Sequence, residues 1–258
     1  MTANSVLMEQ RCCRESRIET GVDVTGTTVA PFHVGLTPEL VVDAAVDLTR
    51  ASHLMTWSIR DLASRLGVAP SVVYHHVGGK DLLCRRVVER VLALIELPPD
   101  GLDWRDWYRR LLSGIGPLAA QYPGVAKWML LHGPTIPAAL PVLETGTRVL
   151  RAAGFGERAS LAYALLLNNA MLTVAIGDDR RQHEGDGPRD HATMMAEFAQ
   201  TATASDELRE AWHGFIGPYL RGDGAAARMR EAYYRVVIDT TIAGLEAMLA
   251  GTTPEEPA

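Results

Sequence analysis

An all-α protein is predicted from three features of the 258-residue sequence. Its apolar segments are built largely from Ala, Leu and Arg, which are good helix formers, with few β-branched clusters. No apolar–polar alternation of the kind a half-buried strand needs is present; apolar residues recur at three- and four-residue spacing instead. With 47% hydrophobic and 22% charged residues, the chain has enough apolar surface for a sizeable core, in one large domain or two modest ones.

Residues 1–35 are polar, rich in Thr and Gly and without helical periodicity, and are expected to form a flexible arm. From Leu36 the pattern changes. Thr37, Pro38 and Glu39 read as an N-cap, a proline at the first helical position and an acid in the first turn. Leu40, Val41, Ala44, Ala45 and Leu48 then define an inner face. After a turn over 51–57, Ser58 is expected to cap a short second helix, with Asp61 completing a capping box and Ile59, Leu62, Ala63 and Leu66 turned inward. Gly67 ends it in a left-handed conformation, Pro70 opens a third short helix, and Gly78-Gly79 stop that one. A fourth helix is expected from Lys80 to about Glu96, with Leu83, Val87, Val91, Leu94 and Ile95 inward, and Pro98-Pro99-Asp100-Gly101 breaks the chain. Further amphipathic helices are expected near 103–121, 124–132, 137–153, 157–177, 190–203, 205–220 and 224–250. The charged run from Gly177 to Pro188 is expected to be a solvated linker. The division that follows is a small domain over 36–83, a connecting helix to about 97, and a larger domain over 98–258.

Three cysteines, Cys12, Cys13 and Cys84, offer no disulfide framework. The N-terminus lacks the apolar core of a signal peptide, and the most membrane-like stretch, Leu161 to Gly177, is short and carries Asn168 and Asn169 at its centre. A cytoplasmic protein with no membrane partner is expected. Net charge is −6, but residues 36–97 hold seven basic and seven acidic residues, so the acidity lies mainly beyond them and does not exclude a nucleic-acid partner.

Two short helices joined through Gly67 have the pattern of a helix-turn-helix. Val73 and Val77 are spaced to pack on Leu62, Ala63 and Leu66, which leaves Pro70, Ser71, Tyr74 and His75 outward. The adjacent His75 and His76 point about 100° apart on a helix and cannot chelate one ion together, so no metal is expected there. The acids and histidines of the 178–191 run have no regular ligand spacing either, and no cofactor is expected.

The stretch from Leu36 to Leu83, about a fifth of the chain, resembles the DNA-binding domain of the tetracycline-repressor (TetR) family through LTPELVVDAAVDL, SIRDLASRLGV and SVVYHHVGGKDLL. It departs from the usual pattern at Val77, commonly phenylalanine, and at Gly78 and Gly79, where relatives are more often polar or basic. The resemblance implies that Tyr74, His76 and Lys80 hold phosphates and that Arg60 reads guanine. It also implies that Ser71, Val72 and His75 face base edges, with Ser58 adding its hydroxyl to the backbone contacts and Pro70 opening the reading helix. It further implies a homodimer on a double-stranded, pseudo-palindromic operator, released by a small-molecule effector bound in the larger domain.

Within that larger domain, Trp104, Trp107, Tyr108, Leu111, Trp128, Met129, His132, Tyr163, Asn168, Asn169, Met171 and Leu172 are candidates to line an apolar pocket. The helices at 157–177 and 224–250 are expected to form the dimer interface, with Ala159, Ala162, Ala225 and Gly244 allowing close approach. Two alternatives stay open. One is an all-helical enzyme or binding protein with an accessory head, although no nucleophile–base pairing stands out. The other is a thiol-based sensor using Cys84, with Arg85 and Arg86 nearby.

Overall fold

The computed structural model describes residues 35–201, 205–220 and 224–251; the expected arm, with Cys12 and Cys13, lies outside the described residues apart from Gly35. All regular elements among them are helical. Helix α1 (Pro38–Ala51) is capped by Thr37, whose hydroxyl accepts from the Leu40 amide at 3.3 Å. Its inner face is Val41, Val42, Ala45 and Thr49, rotated from the expected one, so that Leu40 is half exposed. On that face the buried Thr49 hydroxyl is satisfied, donating to Ala45 O at 2.8 Å and accepting from the Trp57 indole at 3.0 Å.

Helices α2 (Ile59–Leu66) and α3 (Pro70–Val77) meet through Gly67, which is left-handed at φ 67°. Helix α4 (Lys80–Leu92) ends before the expected Glu96. Single-turn hydrogen bonds from Leu94 to Val91 and from Ile95 to Leu92 unwind it ahead of Pro98, and Leu94 is exposed rather than buried.

The rest of the chain forms α5 (Trp104–Ala120), α6 (Val125–His132), α7 (Leu140–Ala152), α8 (Ala159–Gln182), α9 (His191–Thr201), α10 (Asp206–Ala211) and α11 (Ala225–Leu249). Two expectations are corrected here. The run after Gly177 is not wholly a loop, because α8 continues through Asp178 to Gln182, and Asp178 is 1% exposed. The helix expected over 205–220 breaks after Ala211 into a wide turn over Trp212–Ile216 and a tight one over Gly217–Leu220, where Gly214, Gly217 and Pro218 weaken the α-helical ladder.

Two buried clusters organise the molecule. The first lies within α1–α4 and includes Tyr122, Val125, Trp128, Ile136 and Ala139 from the α5–α6 turn and its continuation, so the small helical unit is completed by residues far along the chain. The second joins α5, α7, α8 and α11 around Trp107, Tyr108, Leu112, Leu150, Leu166 and Ile242. By length and composition one helical run, Pro137–Gln182, is apolar enough to cross a membrane, and 44% of its most apolar window is buried inside the protein.

Candidate functional site

The α2–α3 surface is built from its caps outward. Ser58 Oγ accepts from the Asp61 amide at 3.2 Å and donates to Asp61 Oδ2 at 2.8 Å, while the Ser58 amide donates to the same oxygen at 2.7 Å. These bonds from Ser58 hold the Asp61 carboxyl below its usual range. Arg60 is exposed and has no hydrogen bond or ion pair among the described residues. On α3, opened by Pro70, the buried Val73 and Val77 anchor the helix. Ser71, Tyr74 and His75 are exposed, whereas Val72 and His76 are half-buried at the edges of that face. The two histidine rings lie 5.7 Å apart at 71°, and no group of three metal-type ligands occurs among the described residues.

The glycine pair after α3 has a backbone reason. Gly78 and Gly79 take φ of 80° and 154°, a reversal that a side chain would strain, so charge at these positions gives way to geometry. Lys80, next in line, is placed at the start of α4, but its ammonium points into the protein. It donates to Met55 O at 3.1 Å and to Trp57 O, and it lies 4.5 Å over the Trp57 ring. The visible work of Lys80 is to clamp the α1–α2 turn onto α4, a role that sequence spacing did not reveal because the partners are backbone carbonyls. Cys84 is buried beside the same turn, and burial pushes its thiol up to about 11, so little thiolate exists at neutral pH.

A cavity of about 720 Å³ opens among α5, α8, α11 and the start of α9. Pro117, Leu172, Ile176 and Val237 give it apolar walls; Asn169, Thr173, Thr241 and Tyr234 offer hydrogen bonds; Asp178, Arg181 and Arg230 bring charge. Tyr234 is held by donating to Leu112 O at 2.7 Å, and Gly116 makes room for its ring: a Cβ there would lie 2.5 Å from it.

Of the residues expected from the sequence to line a pocket, only Asn169 and Leu172 line this cavity. Trp107, Tyr108, Leu111 and Met171 are buried in the second cluster, where Trp104 packs edge-on against Phe155. Trp107 Nε1 and Tyr108 OH are buried without hydrogen-bond partners among the described residues, and burial pushes the half-buried Tyr163 phenol up to about 12. Trp128 belongs to the first cluster, stacked on His132 at 4.2 Å, with Met129 packed beside it. Asn168 faces outward from α8. Most of the aromatic residues singled out in the sequence lie in the two cores, whereas the cavity is lined by residues of helices that meet only in the tertiary structure.

No family model matches the sequence. An HTH-type transcriptional regulator of Saccharopolyspora erythraea is 28% identical over 212 residues, which cover 82% of this chain and 87% of that protein. Among solved structures, a single-residue variant of TetR from Acinetobacter baumannii in complex with minocycline superimposes with a TM-score of 0.63 at 23% identity, over 86% of this chain and 100% of that one. The Streptomyces coelicolor TetR family protein ActR in complex with actinorhodin gives a TM-score of 0.59 at 23% identity, over 82% of this chain and 97% of that one.

Proposed function

Starting from the all-helical fold of the TetR-family regulators, which this chain has, we propose that it is a DNA-binding transcriptional regulator controlled by a small molecule. The observation that carries the reading is the division of the α2–α3 unit. Leu62, Ala63, Val73 and Val77 are buried, while Arg60, Ser71, Tyr74 and His75 stand outward. A surface-exposed guanidinium with no partner among the described residues is suited to bidentate contact with guanine, and Tyr74 and His76 to phosphates. Lys80 contributes by holding the turn that supports α2.

The cavity is the effector site in this reading, and the minocycline and actinorhodin complexes of the two structural relatives support a small-molecule occupant. Two copies place two α3 helices in successive major grooves, roughly 34–36 Å apart. An effector that binds a differently spaced state more tightly then releases the operator. Repression rather than activation fits this release.

The test is binding to a duplex selected by the protein from a random pool, across a salt series. Arg60→Ala is expected to cost about 1–3 kcal/mol on the selected duplex and to relax preference at one base position. Tyr74→Phe is expected to weaken binding to all duplexes alike. If the unmodified protein shows no salt-sensitive binding to any duplex, the reading is wrong.

A further inference from the structure

Asp178 and Asp179 are consecutive on α8 and therefore point about 100° apart. Asp178 faces the cavity floor: its Oδ2 accepts from the Gly124 amide at 3.1 Å, and its Oδ1 pairs with Arg181 at 2.5 Å, both side chains lining the cavity. Asp179 faces the other way. Its Oδ2 accepts from Lys127 Nζ at 2.7 Å, and its Oδ1 lies 3.8 Å from Nε2 of His53, in the α1–α2 turn.

That last pair is incomplete. His53 is 4% exposed, its Nδ1 accepts from the Met55 amide at 3.2 Å, and this assigns the proton to Nε2, aimed at Asp179. Neither His53 Nε2 nor Asp179 Oδ1 has a hydrogen-bond partner among the described residues. A gap of 3.8 Å exceeds a hydrogen bond of roughly 2.9 Å by about an ångström, so a small shift of α8 against the turn closes it. Gly124 is wedged against the same imidazole at φ 89°, where a Cβ would come within 2.6 Å of the ring. The neighbouring Leu54 amide donates to Pro123 O at 2.8 Å. The far end of this turn, just before α2, is the segment held by Lys80.

We propose that Asp178 and Asp179 form a two-sided latch through which the contents of the cavity act on the recognition helix. An occupant that draws Arg181 from Asp178 leaves that buried carboxylate dependent on the Gly124 amide alone, and α8 re-seats against the α5–α6 turn. The re-seating makes or withholds the Asp179–His53 hydrogen bond and moves the α1–α2 turn, carrying α2 with it. These are positioning residues, and the proposal rests on the regulatory reading above, since it supplies the coupling that reading requires.

The latch is tested by amide hydrogen exchange on the full chain. Arg181→Ala, on the cavity side, is expected to change exchange of amides 53–77 by about tenfold while α7 and the C-terminal half of α11 keep their protection. In an Asp179→Ala background the same substitution is expected to have no further effect at 53–77. His53→Gln, whose amide nitrogen reaches towards the same oxygen, is expected to retain the Arg181→Ala response. A response to Arg181→Ala confined to α8, or an equal loss of protection in both clusters, overturns the latch even if the protein binds DNA. Absence of DNA binding by the unmodified protein removes the regulatory reading instead, and leaves the measured coupling standing.

Discussion

At Gly124 three demands meet: a left-handed backbone, an amide given to Asp178 and a face pressed on His53. Gly124→Ala is expected to lower stability by about 1–3 kcal/mol, seen as a fall in the thermal midpoint, because strain and a steric clash act together. His53 makes a second prediction, on pH. Burial is the main cause that lowers its pKa below 6.5, opposed by Asp179 and assisted by Lys127 and Lys80. Near that pH the unfolded chain binds more protons at this histidine than the folded one does, so stability is present above the ordinary histidine range and is lost as pH falls through it. Denaturant midpoints at pH 7.5 and 5.5 are expected to differ less in His53→Gln than in the unmodified protein; an unchanged difference refutes the assignment. Neither residue carried a signal in the sequence, since a glycine in a turn and a lone histidine are legible only through what they touch.

Helix by helix, α1 to α3 follow their local signals closely. Thr37, Ser58 and Asp61, Gly67 and Pro70 all act where their chemistry placed them, because caps and turns are satisfied within a few residues. Asp61→Ala is expected to cost about 1 kcal/mol, by loss of the reciprocal bonds with Ser58, with fraying of α2 visible in its amide exchange. Helix α8 is the contrary case. Its end, Gly177-Asp178-Asp179-Arg180-Arg181, has the composition of a linker, yet it is helical because Asp178 finds the Gly124 amide and Asp179 finds Lys127, both more than fifty positions away. Long-range partners of this kind leave no periodicity to read.

On the scale of the whole molecule, α8 and α11 are half-partnered. Leu161 and Leu165 are exposed on α8, in a row continued by Leu172 and Ile176 at the cavity, and Val236 and Gly244 lie exposed on α11. The small residues expected there are largely absent from that face: Ala159, Ala162 and Ala225 are buried within the chain, and of the four only Gly244 is outward. A homodimer that packs these two helices against their copies gives the row a partner. Leu161→Glu combined with Val236→Glu is therefore expected to yield monomers in sedimentation and to lose most affinity for a two-half-site duplex. A dimer of unchanged stability would place the interface elsewhere.

What the sequence determined by itself is the all-helical class, the helix-turn-helix with its caps and its outward Arg60, Ser71, Tyr74 and His75, and the boundaries of most helices. All of these follow from interactions within a turn or two of chain. The tertiary structure alone decided that Lys80 clamps a turn, that Trp107, Tyr108 and Trp128 fill two cores, and that the cavity lies among α5, α8 and α11. It alone brought Asp179 to face His53. The physical reason is that a cavity or a contact such as Asp179 with His53 depends on the meeting of segments distant in sequence, whereas a cap depends on three neighbouring residues.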